Sequence, residues 1–183
     1  MSMNLQTVRR IAFGAIFMAN STLFSYVSNA TFASTPQIKQ HLPNRVIQVA
    51  QATTPSTNAM EQAIFDQINQ YRASKGLPAF TRSSKIDNQA KVHSQNMASA
   101  EVAFGHENFS DRVKSTGITY KAAAENVAYN QGYKNPATQA VQGWLKSPGH
   151  KANIEGKFNQ TGIGVAVNSK GEVYFTQLFI TTR

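Results

Sequence analysis

The chain has 183 residues, enough for one domain of ordinary size plus an extension. It contains no cysteine, which excludes a disulfide framework and any thiolate metal site. Its hydrophobic content of 41% is too low for a polytopic membrane protein. The formal net charge of +9 comes from basic residues that are scattered rather than gathered in long runs, which favours general surface attraction over nucleic-acid binding.

The first 33 residues have the order of a secretory signal peptide. Arg9-Arg10 precedes an apolar stretch from Ile11 to about Val27, and small residues follow it. An uncleaved membrane anchor is the alternative. The polar interruption Asn20-Ser21-Thr22 leaves the stretch shorter than the roughly 20 apolar residues that span a bilayer. We therefore expect residues 1–33 to be a cleaved signal peptide.

Residues 34–58 are rich in Ser, Thr, Pro, Gln and Ala without periodicity, which predicts a flexible linker. The folded domain is then expected over residues 59–183. Behind a signal peptide, this domain would be secreted or otherwise periplasmic or extracellular, and it would touch a membrane only through the signal segment. We expect it to be a monomer.

Helical periodicity predicts two helices at the start of the domain. Asn58 and Glu61 have N-cap and N3 spacing at the start of the first, and Gly76 is a suitable C-cap. The second begins near Ser83, and its regularly spaced residues share one face: Ile86, Ala90, His93 and Met97. His93 should therefore face the core or a cavity wall, where a satisfied, partly buried histidine is the simplest interpretation.

A loop carrying His106 comes next. His106 follows Gly105, and the loop leads into a short helix that Asn108 or Ser110 would cap and Gly117 would end. Side chains on loops often serve binding or chemistry, so His106 is a candidate functional residue.

Glu125 lies within residues 122–129, which are otherwise small and largely apolar. A carboxylate in such surroundings needs a partner or a shifted pKa. The ordinary alternative is an acid that caps a helix N-terminus or pairs with a nearby lysine.

Asn135-Pro136 predicts another helix start, with Asn as the cap and Pro at the first helical position. The apolar face of this helix carries Trp144, the only tryptophan, and Ser147-Pro148 ends it. Pro148 and Gly149 then make a corner that presents His150 at the start of a new short turn.

The C-terminal part predicts a β-hairpin. Residues 161–167 and 172–180 are dense in β-branched and aromatic residues, and residues 168–171 form a turn between them. These strands should be the centre of a sheet covered by the preceding helices. Gly162 and Gly164 lack the third glycine of a dinucleotide-binding motif, so we expect them to permit close backbone packing.

His106, Glu125 and His150 form a dispersed set of titratable residues, each expected on a loop or at the end of an element. Two imidazoles and a carboxylate can bind Zn²⁺ with an open position for water. They can equally form an acid–base pair with an orienting carboxylate. Ser147 and His150, three residues apart, are a third option as nucleophile and base.

The order of these motifs over residues 59–183 resembles the CAP superfamily, the cysteine-rich secretory, antigen 5 and pathogenesis-related 1 proteins also called SCP-like. The chain is similar to the short, cysteine-free bacterial type. The motifs that carry the resemblance are Gly105-His106, Ala124-Glu125-Asn126-Val127-Ala128, Trp144-x-x-Ser147-Pro148-Gly149-His150-x-x-Asn153-Ile154, Gly162-Ile163-Gly164-Val165 and Tyr174-Phe175-Thr176-Gln177-Leu178-Phe179.

The resemblance implies an α+β fold: an α-β-α sandwich with a small antiparallel sheet between helical layers and a cleft open to solvent. It also implies a site of two histidines and acidic residues, which binds a divalent metal in several members. By motif, these residues are His106, Glu125 and His150. The larger eukaryotic members have a further glutamate where this chain has Ser147, and Glu107 would replace it only if its side chain turned into the cleft.

Three hypotheses follow. In the first, the protein is a secreted binding module whose His106 and His150 hold a divalent metal, preferably Zn²⁺, and thereby an extracellular lipid, peptide or cell-wall component. In the second, the same residues and Glu125, as base or orienter, form a metal-dependent extracellular hydrolase. The third is the Ser147/His150 nucleophile pair. Binding is favoured because the family is better associated with binding than with a settled reaction, and whether the protein is an enzyme stays open.

Overall fold

A computed structural model describes residues 55–182 of the chain. The predicted signal peptide and nearly all of the predicted linker therefore lie outside the described residues. Within residues 55–182, no helix is both long enough and apolar enough to cross a membrane.

The described part of the chain contains five helices and four strands. In chain order they are α1 (Thr57–Ser74), β1 (Thr81–Arg82), α2 (Ser84–Ala98), α3 (Phe109–Ser115), β2 (Tyr120–Gln131), α4 (Pro136–Lys146), α5 (Pro148–Glu155), β3 (Gln160–Val167) and β4 (Glu172–Thr182).

The strands form one sheet in the order β1-β3-β4-β2. Strand β4 pairs antiparallel with both β2 and β3, so the predicted hairpin is at the centre of the sheet, as expected. The two-residue strand β1 pairs parallel with β3, which makes the sheet mixed rather than purely antiparallel.

Helices cover both faces of the sheet, which confirms the α-β-α sandwich. Helices α1, α4 and α5 pack on one face around a core that includes Trp144, Phe175 and Phe179. Helix α2 packs on the other face with α3 beside it, over a smaller core that includes Ile86 and Leu178.

The first helix begins two residues earlier than the sequence predicts. Its N-cap is Ser56, whose Oγ accepts a hydrogen bond from the backbone N–H of Ala59 at 3.2 Å. Asn58 lies inside the helix, and the Glu61 carboxylate accepts a hydrogen bond from strand β3 instead of capping the helix. At the other end Gly76 adopts φ +69° directly after the cap residue Lys75, a conformation that glycine adopts without strain.

Helix α2 lies directly against the backbone of β3, as the two glycines predict. A Cβ on Gly162 would lie 2.3 Å from the backbone nitrogen of Asp87, and one on Gly164 would lie 2.1 Å from that of Lys91. Any side chain at these positions would push the helix off the sheet.

Carboxylates occupy the edge of β3 beyond the short strand β1. The N–H of Ile163 donates to Asp87 Oδ1 at 2.7 Å, and the N–H of Val165 donates to Glu61 Oε1 at 3.2 Å. Arg82 binds both carboxylates, with Nε 3.0 Å from Asp87 Oδ2 and Nη2 3.3 Å from Glu61 Oε2. These contacts satisfy strand donors that would otherwise be open to pairing with another chain.

Glu61 gives the first testable prediction. Burial raises the pKa of Glu61 above its usual value, and the hydrogen bond from Val165 only partly opposes that rise. A carboxyl whose pKa is higher folded than unfolded stabilises most when protonated, and that contribution is lost as the pH rises through the folded-state pKa. The hydrogen bond from the Val165 N–H needs only an acceptor oxygen at this position, whether or not the carboxyl is charged.

Glu61→Ala should lower the unfolding free energy by about 1–3 kcal/mol, because the Val165 N–H loses its partner inside the protein. Glu61→Gln keeps an acceptor without the charge and should lose much less. Denaturant unfolding at pH 5 and pH 7 measures both variants. Equal losses in the two would show that the acceptor at this edge is unimportant.

Candidate functional site

Glu125 lies in the middle of β2, paired with Leu178 of β4, and not at the end of an element as expected. Its side chain is 2% exposed and lies on the face of the sheet that α2 and α3 cover. An ionised carboxylate in such a place requires compensation by charge and hydrogen bonds.

Arg112 of α3 provides that compensation. Its Nε donates to Glu125 Oε2 at 3.0 Å and its Nη2 donates to Glu125 Oε1 at 2.8 Å, a two-pronged contact that fixes the plane of the carboxylate. The same guanidinium donates through Nη1 to the carbonyl of Glu107. Arg112 therefore joins a helix, a strand and the loop that carries His106.

His106 completes the bonding of the carboxylate. Its Nδ1 is 2.9 Å from Glu125 Oε1, and because the carboxylate can only accept, Nδ1 carries the hydrogen. The ring is about half exposed, with a side-chain exposure of 52%. Nε2 is thus the nitrogen of His106 that is available to a ligand.

His93 of α2 binds the backbone of the loop that carries His106. Its Nε2 donates to the carbonyl of Gly105 at 2.9 Å, and its ring lies in the wall of a cavity of about 190 Å³ between α2 and α3. Burial lowers the pKa of His93, although the bond to Gly105 opposes the shift. The interpretation of His93 as a satisfied histidine is consistent with these contacts, and the residue also supports the backbone beside His106.

His150 lies in the first turn of α5. The corner between α4 and α5 is at Ser147, one residue before the predicted corner at Pro148-Gly149. Ser147 both ends α4 and precedes α5, and Pro148 is the first residue of the new helix. Burial, followed by the charge of nearby His106, lowers the pKa of His150 below its usual value. Strand β2 connects the two histidines: Asn126 bonds to the backbone carbonyl of His150, and Glu125, the residue before it, bonds to His106.

Two asparagines tie α5 to the strand that carries Glu125. Asn153 Nδ2 lies 2.9 Å from Asn126 Oδ1 and 3.3 Å from the backbone carbonyl of Glu125. Asn126 in turn donates to the backbone carbonyl of His150 at 3.1 Å. This network fixes the start of α5, and with it His150, relative to Glu125.

Arg112, Asn126 and His93 are parts of the site that the sequence interpretation did not assign. Asn126 and Asn153 stand within the motifs that carry the family resemblance, so the motifs contained a signal for them. Arg112 is in no motif. The sequence indicated only that Glu125 requires a partner, without identifying which residue it is.

Neither Glu107 nor Ser147 provides the cluster with a second acidic side chain. Glu107 is exposed and contributes only its backbone carbonyl, through Arg112. Ser147 contributes its backbone carbonyl to the N–H of Lys151, and within residues 55–182 its hydroxyl makes no hydrogen bond to His150. The pairing that a Ser147/His150 nucleophile requires is therefore not formed.

The donor atoms left for a metal are imidazole nitrogens. Among residues 55–182 no group of three or more His, Cys, Asp and Glu side chains has an arrangement that could hold a metal ion. Both oxygens of Glu125 already accept hydrogen bonds from Arg112 and His106, so its natural role is to orient His106.

The fold and this cluster can be compared with known proteins. The family model described as "CAP: Cysteine-rich secretory protein family" matches residues 65–179. The chain belongs to this family. A curated relative, "Uncharacterized protein YkwD" of Bacillus subtilis, is 34% identical over 130 residues, which are 68% of this chain and 48% of the relative. The chain thus spans about half the length of that relative.

Solved structures of bacterial proteins share the fold. An extracellular protein containing an SCP domain from Bacillus anthracis is 29% identical, with a TM-score of 0.60, and the match covers 69% of this chain and 41% of that one. An outer surface protein from Borrelia burgdorferi is 16% identical, with a TM-score of 0.61, and the match covers 70% of this chain and 97% of that one. At that identity, the Borrelia protein supports the fold alone.

The second prediction concerns the buried pair. Arg112→Met should lower the unfolding free energy by about 3–5 kcal/mol, because the buried charge of Glu125 would be left with the contact to His106 alone. The double variant Arg112→Met/Glu125→Gln should recover part of this loss, since a neutral amide is cheaper to bury than a carboxylate. Denaturant unfolding followed by circular dichroism measures all three proteins.

Lys114→Met is the matched control, because Lys114 is on the same helix and its side chain is 69% exposed. We expect a change within about 0.5 kcal/mol. A loss for Arg112→Met no larger than for Lys114→Met would contradict the role given to the pair.

Proposed function

We propose that this CAP domain is a secreted binding module in which His106 and His150 hold a divalent metal ion, with Zn²⁺ as the preferred ion. Through the metal, the module would hold an extracellular lipid, peptide or cell-wall component. The observation that carries the proposal is the contact of His106 Nδ1 with a buried carboxylate. Metal-binding histidines commonly donate their second nitrogen to such a carboxylate, which fixes the tautomer and the direction of the ring.

The donor set fits Zn²⁺ better than the harder cations. Two imidazoles are nitrogen donors of the kind that zinc prefers, whereas Ca²⁺ and Mg²⁺ require several oxygen ligands. Glu125 would orient and not ligate, so the positions beyond the two histidines are left to water or to a ligand. A bound ion would supply positive charge at the mouth of the cleft.

Two observations support an extracellular location. The first 33 residues have signal-peptide character, and the related Bacillus anthracis structure is described as an extracellular protein. We retain the expectations of a monomer and of membrane contact through the signal segment alone.

The second candidate is an extracellular hydrolase that uses His106, Glu125 and His150. The same carboxylate–imidazole contact favours it, because a carboxylate at Nδ1 leaves Nε2 suited to accept a proton from an attacking water. Glu125 would orient the ring in this reaction. A role as the base itself is disfavoured, since Arg112 holds both of its oxygens.

The third prediction tests the metal. Calorimetric titration of Zn²⁺ should show one strong site in the wild type, and His106→Ala/His150→Ala should abolish it. Glu125→Gln should weaken it by about 10–100-fold, the usual effect of losing a residue that orients a ligand. His41→Ala is the control, because His41 belongs to the linker predicted from the sequence and has no role in the proposal. Equal affinity in the wild type and the double histidine variant would refute the metal site.

The fourth prediction separates binding from hydrolysis. Peptide, ester and cell-wall substrates are incubated with the wild type and with Glu125→Gln, after unfolding curves have shown that the variant is folded. The binding proposal expects no turnover that depends on Glu125. Turnover by the wild type that disappears in the variant would establish the hydrolase instead.

A further inference from the structure

A row of aromatic side chains lies on the same sheet face as Glu125, past the end of α2. On β3, α2 covers Gly164, and Ala166, two residues further, lines a groove with Gln95 and Ala98 at the end of the helix. Ala166 pairs with Tyr174 of β4, and Tyr174 pairs with Tyr129 of β2. Because alternate residues of a strand share a face, these three side chains lie on one surface.

Phe104 extends this row towards the histidines. Its ring contacts that of Tyr129 edge-on, with centroids 5.1 Å apart, and Tyr129 stacks against Tyr174 at 5.8 Å. Phe104 and Tyr129 are nevertheless 48% and 53% exposed. Large apolar rings that contact one another and remain open to water indicate an interaction site more often than isolated exposed residues do. We call Phe104, Tyr129 and Tyr174 the aromatic row.

The aromatic row is held in place by its surroundings. The hydroxyl of Tyr174 donates to Glu172 Oε2 at 3.2 Å, and the same carboxylate oxygen accepts from Asn168 Nδ2 at 2.6 Å. Burial and the neighbouring Glu172 raise the pKa of Tyr174, so its hydroxyl stays protonated. A row fixed in this way loses little conformational entropy when a ligand binds.

A groove and the histidine cluster lie at the two ends of the aromatic row. The groove, of about 390 Å³, lies between the end of α2 and the β3–β4 turn. It is lined by the polar side chains of Gln95, Ser99, Asn168 and Ser169 and by the apolar side chains of Ala98, Ala166 and Val167. No charged side chain lines it. At the other end, Phe104 is two residues from His106, and Tyr129 is four residues along β2 from Glu125 on the same face.

We propose that the groove and the aromatic row bind an extended, uncharged glycan strand whose end reaches His106 and His150. The inference rests on the proposed binding function and names the class of its ligand. Sugar rings present C–H faces that pack on aromatic rings, and hydroxyl and N-acetyl groups that bond to amides and hydroxyls. The groove and the row together offer both kinds of contact.

The charges of this surface exclude other partners in spite of the basic chain. An anionic polymer or membrane would need several lysines or arginines along its path. Neither residue lines the groove, and Lys170 in the adjoining turn is offset by Glu172, which borders the row. A lipid chain would need an enclosed apolar cavity, whereas this groove is open and amides and hydroxyls alternate with its apolar side chains.

The fifth prediction uses a hexamer of N-acetylglucosamine as the probe, titrated into the protein and followed by calorimetry and by backbone NMR. The wild type should bind it, and Phe104→Ala and Tyr129→Ala should each weaken binding about tenfold, the order expected for loss of one stacked ring. Tyr133→Ala is the matched control: it is a tyrosine of similar exposure, 51%, that makes no ring contact within residues 55–182. Its affinity should stay within about twofold of the wild type.

Failure of the hexamer to bind the wild type, or an equal loss in Tyr133→Ala, would overturn the inference. Binding of phosphatidylcholine vesicles that Tyr129→Ala removes would also overturn it, in favour of a membrane. Zn²⁺ titration of Tyr129→Ala should match the wild type. If His106→Ala/His150→Ala binds Zn²⁺ like the wild type while hexamer binding depends on Tyr129, the metal proposal fails and the glycan inference stands.

Discussion

The candidate site depends on one buried ion pair, that of Arg112 with Glu125. A carboxylate with 2% side-chain exposure is stable only because a guanidinium meets it along two bonds and His106 supplies a third. Arg112 and His106 both donate to Glu125 Oε1, so the orientation of the Arg112–Glu125 ion pair determines the orientation of the His106 ring. Arg112 also holds the carbonyl of Glu107, next to His106 in the chain. The loop therefore takes its position only when α3 and β2 are docked together.

The position of His150 depends on the side chains that bind the exposed edge of strand β2. Strand β2 has a neighbour on one side only, and side chains from α4 and α5 reach its backbone: Trp144 Nε1 donates to the carbonyl of Val127 at 3.0 Å, and Asn153 reaches that of Glu125. Such contacts protect an edge from pairing with another chain. At its far end α5 is held by buried Arg72, which donates to the carbonyl of Ile154 at 2.6 Å. An eight-residue helix is unstable alone, so these contacts at both ends decide where His150 lies.

The parts of the fold with local signals were predictable, and the parts that depend on distant partners were not. The hairpin and the Asn135-Pro136 helix start are encoded by neighbouring residues, and both are confirmed. Strand β2 was not recognised, because its alanines favour strands weakly and its conformation is fixed by pairing with β4. His106, Glu125 and His150 were found through motifs. Arg112 is thirteen residues from Glu125 in sequence, and no sequence pattern predicts that the two residues pair.

The charge balance of the cluster constrains what it can hold. Arg112 and Glu125 neutralise each other below the surface, so the half-exposed His106 and the partly buried His150 are the groups of the cluster left to a ligand. The charge on His106 also helps to lower the pKa of His150, so the pair resists becoming doubly positive. Two such rings offer lone pairs, which suit a metal cation or the hydroxyl of an uncharged ligand and give little attraction to an anion. The groove beside Tyr174 likewise has no charged side chain in its lining, so a neutral, hydroxyl-bearing ligand suits the cluster and the groove alike.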